Sequence, residues 1–276
     1  MAYLTVGKEN SADIELYYED RGSGRPVVLI HGWPLSGGSW EKQSQMLIAS
    51  GFRVITYDRR GFGRSSAPST GYDYDTMAGD LAKIIDKLSL ADASLVGFSM
   101  GGGEVARYMG KYGGKGVSKV AFISAVTPAL RKDGNNPDGA PPEIFEGIKS
   151  KIEEDRYKFL DGFLHDFYNK KLLGGADISD EALLASRAVA NGSSYGAMLK
   201  CVDAWLEDFR PDLKSIKVPT LVVHGGADKI VPAEVSGKRM MQFVGHANVH
   251  IIDDAPHGLN WTHATHLNKL LLEHVR

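Results

Sequence analysis

Residues 93–109 read ASLVGFSMGGGEVARYM, and the order of residue types in that stretch decides the fold. A short apolar run leads into G-x-S-x-G at 97–101, and a helix-compatible stretch follows. Strand, G-x-S-x-G and helix in that order are the signature of a nucleophile elbow. The pattern predicts a strained strand-to-helix turn that lifts the Ser99 hydroxyl above the end of a sheet. Gly97 and Gly101 leave room where a β-carbon would clash with the tight turn. Met100 is placed to offer its backbone N–H to a developing oxyanion. The plainer reading of the same residues is a glycine-rich turn with a helix-capping serine.

Outward from this point, strands and helices alternate. Upstream, PVVLIHG (26–32) and FRVITYD (52–58) are short β-branched runs of the kind buried in parallel sheets. Residues 38–49 are helix-compatible, and TMAGDLAKIIDKLSL (76–90) sets Leu81, Ile84, Ile85 and Leu88 at helical spacing. Downstream come SKVAFISA (118–125), VPTLVVHGGAD (218–228) and NVHIIDDA (248–255), with helices expected near 233–243 and from about 260. The opening ADIELYYED alternates polar and apolar and then meets RGSG, which reads as an antiparallel hairpin arm. The expected fold is therefore α/β, a doubly wound and mostly parallel sheet. The rhythm breaks between 127 and 216, where a proline- and glycine-rich loop precedes mostly helical patterns. The expected organisation is a core of 1–126 and 217–276 carrying a helical cap insertion at 127–216. No internal repeat is visible.

Composition narrows the function classes. The 32 basic and 34 acidic residues give a net charge of −2, so there is no electrostatic case for nucleic acid or an anionic membrane. No apolar stretch reaches the length of a membrane span. The first twenty residues lack a basic segment followed by an apolar core, and Cys201 is the only cysteine, so no internal disulfide is possible. These features lead to the expectation of a cytoplasmic protein. The oligomeric state is left open, a homo-oligomer included.

A serine hydroxyl is a poor nucleophile at neutral pH and needs a base, and the base needs an orienting group. Among nine histidines, His257 stands out, because it lies in APHG just after an expected strand. Ser99 and His257 then share the edge where parallel strands end. His31 and His224 precede glycine in H-G turns and read as structural. His246, His250, His263, His266 and His274 read as facing solvent or core. His263 and His266 stand three apart, but no third ligand is near in sequence, so no metal is expected. Asp228 ends LVVHGGAD and completes the order nucleophile, acid, histidine. Asp58 precedes the nucleophile and reads as a loop-stabilising group, and Asp253 and Asp254 are rivals near His257. The second oxyanion donor should come from HGWPL, where Trp33 is best placed and Pro34 has no N–H. Trp33 also reads as pocket wall. Phe159, Phe163 and Phe167 are spaced by four and share a helix face. They read either as packing between insertion and core or as an aromatic wall, and Trp205 carries the same two readings.

Taken together, HGWPLSGGSW, YDRRGFGRS, LVGFSMGGGEVARY, DFRPDL, VPTLVVHGGAD and DAPHG resemble the α/β-hydrolase superfamily. More narrowly, they resemble the cofactor-free (non-haem) haloperoxidase and aryl esterase group, to which (−)-γ-lactamases also belong. The resemblance runs from about residue 13 to the end of the chain. It implies the α/β-hydrolase fold, a triad of Ser99, Asp228 and His257, and oxyanion donors at Trp33 and Met100. The expected pocket residues are Trp33, Phe163, Phe167, Trp205, Ile230 and Leu259. The implied substrates are small esters, strained lactams, or a short carboxylic acid with peroxide, and no cofactor is implied. In perhydrolysis the product peracid oxidises halide away from the site. One departure is LNWTHA after APHG, where the group usually begins with phenylalanine, so Leu259 is expected to reshape the pocket. Halide and epoxide hydrolases of this fold carry aspartate at the elbow, which Ser99 argues against. A serine-triad lyase and a non-catalytic ligand receptor on a hydrolase scaffold are the remaining alternatives.

Overall fold

The computed structural model describes residues 2–170 and 178–276. Among the described residues, eight strands form one sheet: β1 (Ala2–Glu9), β2 (Ala12–Gly22), β3 (Pro26–Ile30), β4 (Arg53–Tyr57), β5 (Ala93–Phe98), β6 (Val117–Ile123), β7 (Thr220–Gly225) and β8 (Asn248–Ile252). The order is β1-β2-β4-β3-β5-β6-β7-β8. From β4 to β8 every pairing is parallel, while β1 and β2 add an antiparallel arm. Every residue of β3, β5 and β7 is buried. That explains their continuous apolar sequences, since a strand covered on both faces has no polar side.

The helices of the core are α1 (Glu41–Ala49), α2 (Tyr74–Lys87), α3 (Met100–Tyr112), α8 (Leu259–Thr262) and α9 (Ala264–Val275). Between β6 and β7 lie α4 (Pro142–Phe167), α5 (Asp180–Asn191), α6 (Tyr195–Ala204) and α7 (Arg210–Lys214). α4 packs on α5 and α6, whereas α7 packs on α3. Arg107 of α3 clamps that last contact with a 3.0 Å bond to Asp212. Residues 171–177, part of the expected insertion, lie outside the described residues.

The order in which strands join the sheet reverses at β3. Its connection leads to β4 on one side, and β5 then pairs on the other. In open parallel sheets such a reversal opens a crevice beyond the strand ends, where adjacent loops diverge. The loops after β3 and β5 border that crevice, and those after β7 and β8 approach it from the side.

Two local expectations differ from the structure. The hairpin turn lies at Asn10 and Ser11, between β1 and β2, rather than at RGSG. Asn10 takes φ +53°, a conformation its short polar side chain tolerates better than most residues do. The helix expected over 233–243 is only a 3-10 helix at Gly237–Gln242. Ser236 ties this segment to the loop after β6, its hydroxyl 2.6 Å from the Ala125 carbonyl and 2.7 Å from that of Thr127.

Candidate active site

Ser99 stands between β5 and α3 with φ 53° and ψ −118°. A non-glycine residue in such a conformation costs about 1–3 kcal/mol and persists only where its surroundings dictate it. Here they do. The Ser99 N–H donates to the Ile123 carbonyl at 2.8 Å, and its own carbonyl accepts from Gly102 at 3.0 Å and Val126 at 3.2 Å. A Cβ on Gly97 would lie 2.5 Å from the Gly101 carbonyl oxygen, and one on Gly101 would lie 2.4 Å from that of Ile30. Both glycines therefore admit backbone where a side chain would stand, as the elbow motif requires.

His257 follows β8 and is fully buried. The Ser99 hydroxyl donates to its Nε2 at 2.9 Å, and its Nδ1–H donates to Asp228 Oδ2 at 2.7 Å. The imidazole is held between two aromatic rings, with centroids 5.2 Å away for Phe98 and 4.9 Å for Phe167. Asp228 is fixed from the other side. Its Oδ1 accepts the N–H groups of Ile230 at 2.9 Å and Val231 at 2.8 Å. Burial alone would push this carboxyl up, but the charge of His257 and hydrogen bonds from His224 and His257 outweigh it. The net result holds Asp228 well below the usual carboxylate range, so it is an anion at any working pH.

The structure thus brings Ser99, His257 and Asp228 into one hydrogen-bonded row. The rivals lie elsewhere. Asp58 accepts the N–H groups of Gly37 and Arg64, both at 2.8 Å, and so holds the loops around it. Asp253 and Asp254 are exposed in the turn after β8. His31 is buried and neutral, its pKa drawn well below the ordinary value by burial and by Arg59. His224 was expected to be structural, yet its Nε2 lies 3.4 Å from Asp228 Oδ2 while donating to the Val231 carbonyl at 2.8 Å. The loop after β7 folds back to create that contact, and nothing in the local sequence announces it. His263 faces Asp254 at 3.4 Å, and among the described residues no group of three His, Cys, Asp or Glu side chains could hold a metal.

Met100 opens α3, so its N–H has no carbonyl one turn earlier to meet. Trp33 lies in the loop after β3, beside Gly32, where a Cβ would stand 2.9 Å from that of Ser99. Among the described turn and loop bonds, neither N–H is taken by a backbone carbonyl.

A cavity of about 690 Å³ opens over Ser99. Trp33, Phe159, Phe163, Trp205, Ile230 and Leu130 contribute to its walls. Phe163 and Trp205 meet the Trp33 ring edge-on, at 5.1 and 5.0 Å between centroids. Exposed Lys151, Lys158, Asp166 and Lys229 form a charged rim. Two expected pocket residues lie outside these walls. Phe167 is fully buried and packs behind His257. Leu259 is fully buried as well, because the chain after His257 is tucked beneath α4, with Gly258 donating to the Phe167 carbonyl at 2.8 Å. Conversely, Phe145 and Ile148 line the cavity without having been expected there. With Ile152 they recur at helical spacing in the first half of α4, a signal the sequence does carry.

Comparison with known proteins agrees with this architecture. A family model described as alpha/beta hydrolase fold matches residues 25–264. A Synechocystis protein provisionally named non-heme chloroperoxidase is 51% identical over the full length of both chains. A bifunctional esterase/perhydrolase of Acinetobacter calcoaceticus is 36% identical, again over all of both chains. The crystal structure of a bromoperoxidase from Bacillus anthracis superimposes with a TM-score of 0.94 at 46% identity, covering 99% of each chain. The chain belongs to the alpha/beta hydrolase fold family and is a hydrolase of the branch shared by non-haem haloperoxidases and esterases.

Proposed function

We propose that this protein is a serine hydrolase that cleaves small esters through an acyl-enzyme on Ser99. The observation that carries the reading is the row Asp228–His257–Ser99, with bonds of 2.7 and 2.9 Å, ending at a hydroxyl beneath the cavity. His257 takes the Ser99 proton as the hydroxyl oxygen attacks the acyl carbon. The N–H groups of Trp33 and Met100 hold the resulting oxyanion. The tetrahedral intermediate collapses, the alcohol leaves with the proton from His257, and the acyl group stays on Ser99. Water then attacks, giving up a proton to His257, and the carboxylic acid departs as that proton returns to Ser99. Asp228 stays ionised throughout, fixing the tautomer and stabilising the imidazolium.

The names of the relatives support a second outcome at the same intermediate. Hydrogen peroxide in place of water yields a peracid, which oxidises halide after release. A strained γ-lactam is a third candidate acyl donor, with the ring amine leaving in place of an alcohol. Residues 127–216 serve in this reading as the insertion that walls the acyl pocket, and the protein acts on small molecules in the cytoplasm. The test compares rates with an aryl acetate, with acetate plus peroxide, and with a bicyclic γ-lactam, using Ser99→Ala as control. Ester turnover lost in the variant is the expected result. Ester turnover that survives in Ser99→Ala contradicts the covalent mechanism, and the ranking of the three rates sets the preferred reaction.

A further inference from the structure

The chemistry above leaves the buried ion pair of Arg59 and Glu104 without a task. Arg59 follows β4 and Glu104 lies one turn into α3, with side chains only 1% and 0% exposed. Neither reaches the cavity. The Arg59 Nε donates to Glu104 Oε2 at 2.8 Å, and the buried Tyr57 hydroxyl donates to the other carboxylate oxygen. Burying two charges is costly, and their attraction does little more than offset that cost. Replacing such a pair by apolar residues of similar volume is often neutral or stabilising. Fold stability is therefore a weak reason for this pair.

Its connections supply a better one. On one side, Arg59 holds the segment that leads into Trp33. Its Nη2 donates to the His31 carbonyl at 2.9 Å, and its backbone N–H donates to His31 Nε2 at 2.9 Å. The neutral His31 then donates from Nδ1 to the Gly32 carbonyl at 2.9 Å. On the other side, Glu104 belongs to the helix that Met100 begins, and Arg59 Nη1 lies 4.0 Å from Met100 Sδ. Tyr74 adds a hydroxyl bond to the Met100 carbonyl at 3.1 Å. One guanidinium thus ties together the two backbone segments that flank the elbow.

We propose that Arg59 and Glu104 are positioning residues of the oxyanion hole, their ion pair setting the separation between the N–H groups of Trp33 and Met100. The proposal rests on the acyl-enzyme reading of Ser99. Donors act on an oxyanion only within about 2.7–3.1 Å, and losing one outright costs about 10²–10³ in kcat. A slackened hole should cost less, because both donors remain. Neither residue touches a reacting atom, so ground-state binding and the His257–Asp228 pair should be unaffected.

The test uses the double variant Arg59→Met/Glu104→Met, which leaves no orphaned charge, and the milder Glu104→Gln. Each is measured for kcat and KM on an aryl acetate, for inhibition by a trifluoromethyl ketone, for its pH–rate profile and for its thermal midpoint. The ketone adds to Ser99 and places an oxyanion in the hole, so its affinity reports the donors directly. The double variant should lose about 10- to 100-fold in kcat. KM should stay within about twofold, the ketone should weaken in step with kcat, and the acid limb of the profile should not move. Unchanged kcat and ketone affinity in either folded variant overturns the proposal, as does a loss confined to KM or a displaced acid limb. If the double variant does not fold, Glu104→Gln decides. A parallel loss in kcat and ketone affinity at a normal thermal midpoint supports positioning, and wild-type values reduce the pair to a folding element. Ser99→Ala run alongside separates the two levels: full activity there overturns the acyl-enzyme reading itself, whereas an inactive Ser99→Ala beside unaltered pair variants overturns only this inference.

Discussion

Asp228 shows how much chemistry the orientation of one carboxyl group carries. Its Oδ1 is claimed by two backbone N–H groups, from Ile230 and Val231, and only Oδ2 faces His257. In Asp228→Asn those N–H groups still demand an oxygen, so the amide nitrogen is forced toward the imidazole. A donor there repels Nδ1–H and favours the tautomer with its proton on Nε2, which cannot accept from Ser99. The expected loss in kcat is about four orders of magnitude, with little change in KM. Steady-state kinetics of the purified variant checks this, and near-wild-type turnover would remove Asp228 from the row. His224 should matter far less. Its contact with Oδ2 is long, at 3.4 Å, and its main bond is to the Val231 carbonyl.

At the scale of elements, α4 is two helices joined at Asp155, whose φ −160° and ψ 94° interrupt the helical backbone. The Asp155 carboxylate accepts the N–H groups of Tyr157 and Lys158, both at 3.0 Å, and so caps the second half as an N-terminal residue would. That half carries Phe159 and Phe163 into the cavity wall. Asp155→Ala should destabilise it by about 0.5–2 kcal/mol, seen as faster amide exchange over 156–167, and unchanged exchange would count against the cap. The same helix shows what sequence reading can and cannot resolve. The four-residue spacing of Phe159, Phe163 and Phe167 identified a common stripe. Each step of four residues nevertheless rotates about 40° around a helix of 3.6 residues per turn, so the stripe drifts by about 80° over its length. Two rings therefore line the cavity and the third backs His257. The parallel strands were legible because burial on both faces leaves an unbroken apolar run. The segment near 233–243 was not, since Ser236 bonds to Ala125 and Thr127 across a long sequence separation and overrides the local preference. Ser99, Asp228 and His257 could be named because each stands just beyond a strand. Arg59 and Glu104 could not, because what matters about them is a meeting 45 residues apart in the chain.

Across the whole molecule, the reversal of strand order at β3 separates the two proposed oxyanion donors onto different loops, and a buried scaffold must then hold them together. The sheet is closed on its far side by α9, where His274 donates to the Val120 carbonyl of β6 at 3.0 Å. Burial is the main cause that draws this imidazole down to about 4. In the unfolded chain it titrates near 6.5. The unfolded state thus binds the extra proton first, so the stability owed to a neutral His274 is complete above about pH 6.5 and drains away as pH falls toward 4. His274→Gln should flatten the acid decline of unfolding free energy across that window, measured by urea titration at several pH values, and parallel curves for the two proteins would exclude His274 as a contributor. The most direct measurement concerns Ser99. The protein is mixed briefly with an aryl acetate, quenched in acid, and examined by intact mass and peptide mapping. One acetyl group on Ser99, absent from Ser99→Ala and lost when the quench is delayed after substrate runs out, is the result expected of an acyl-enzyme. Rapid ester turnover with no acyl group on Ser99, or turnover that persists in Ser99→Ala, would contradict it.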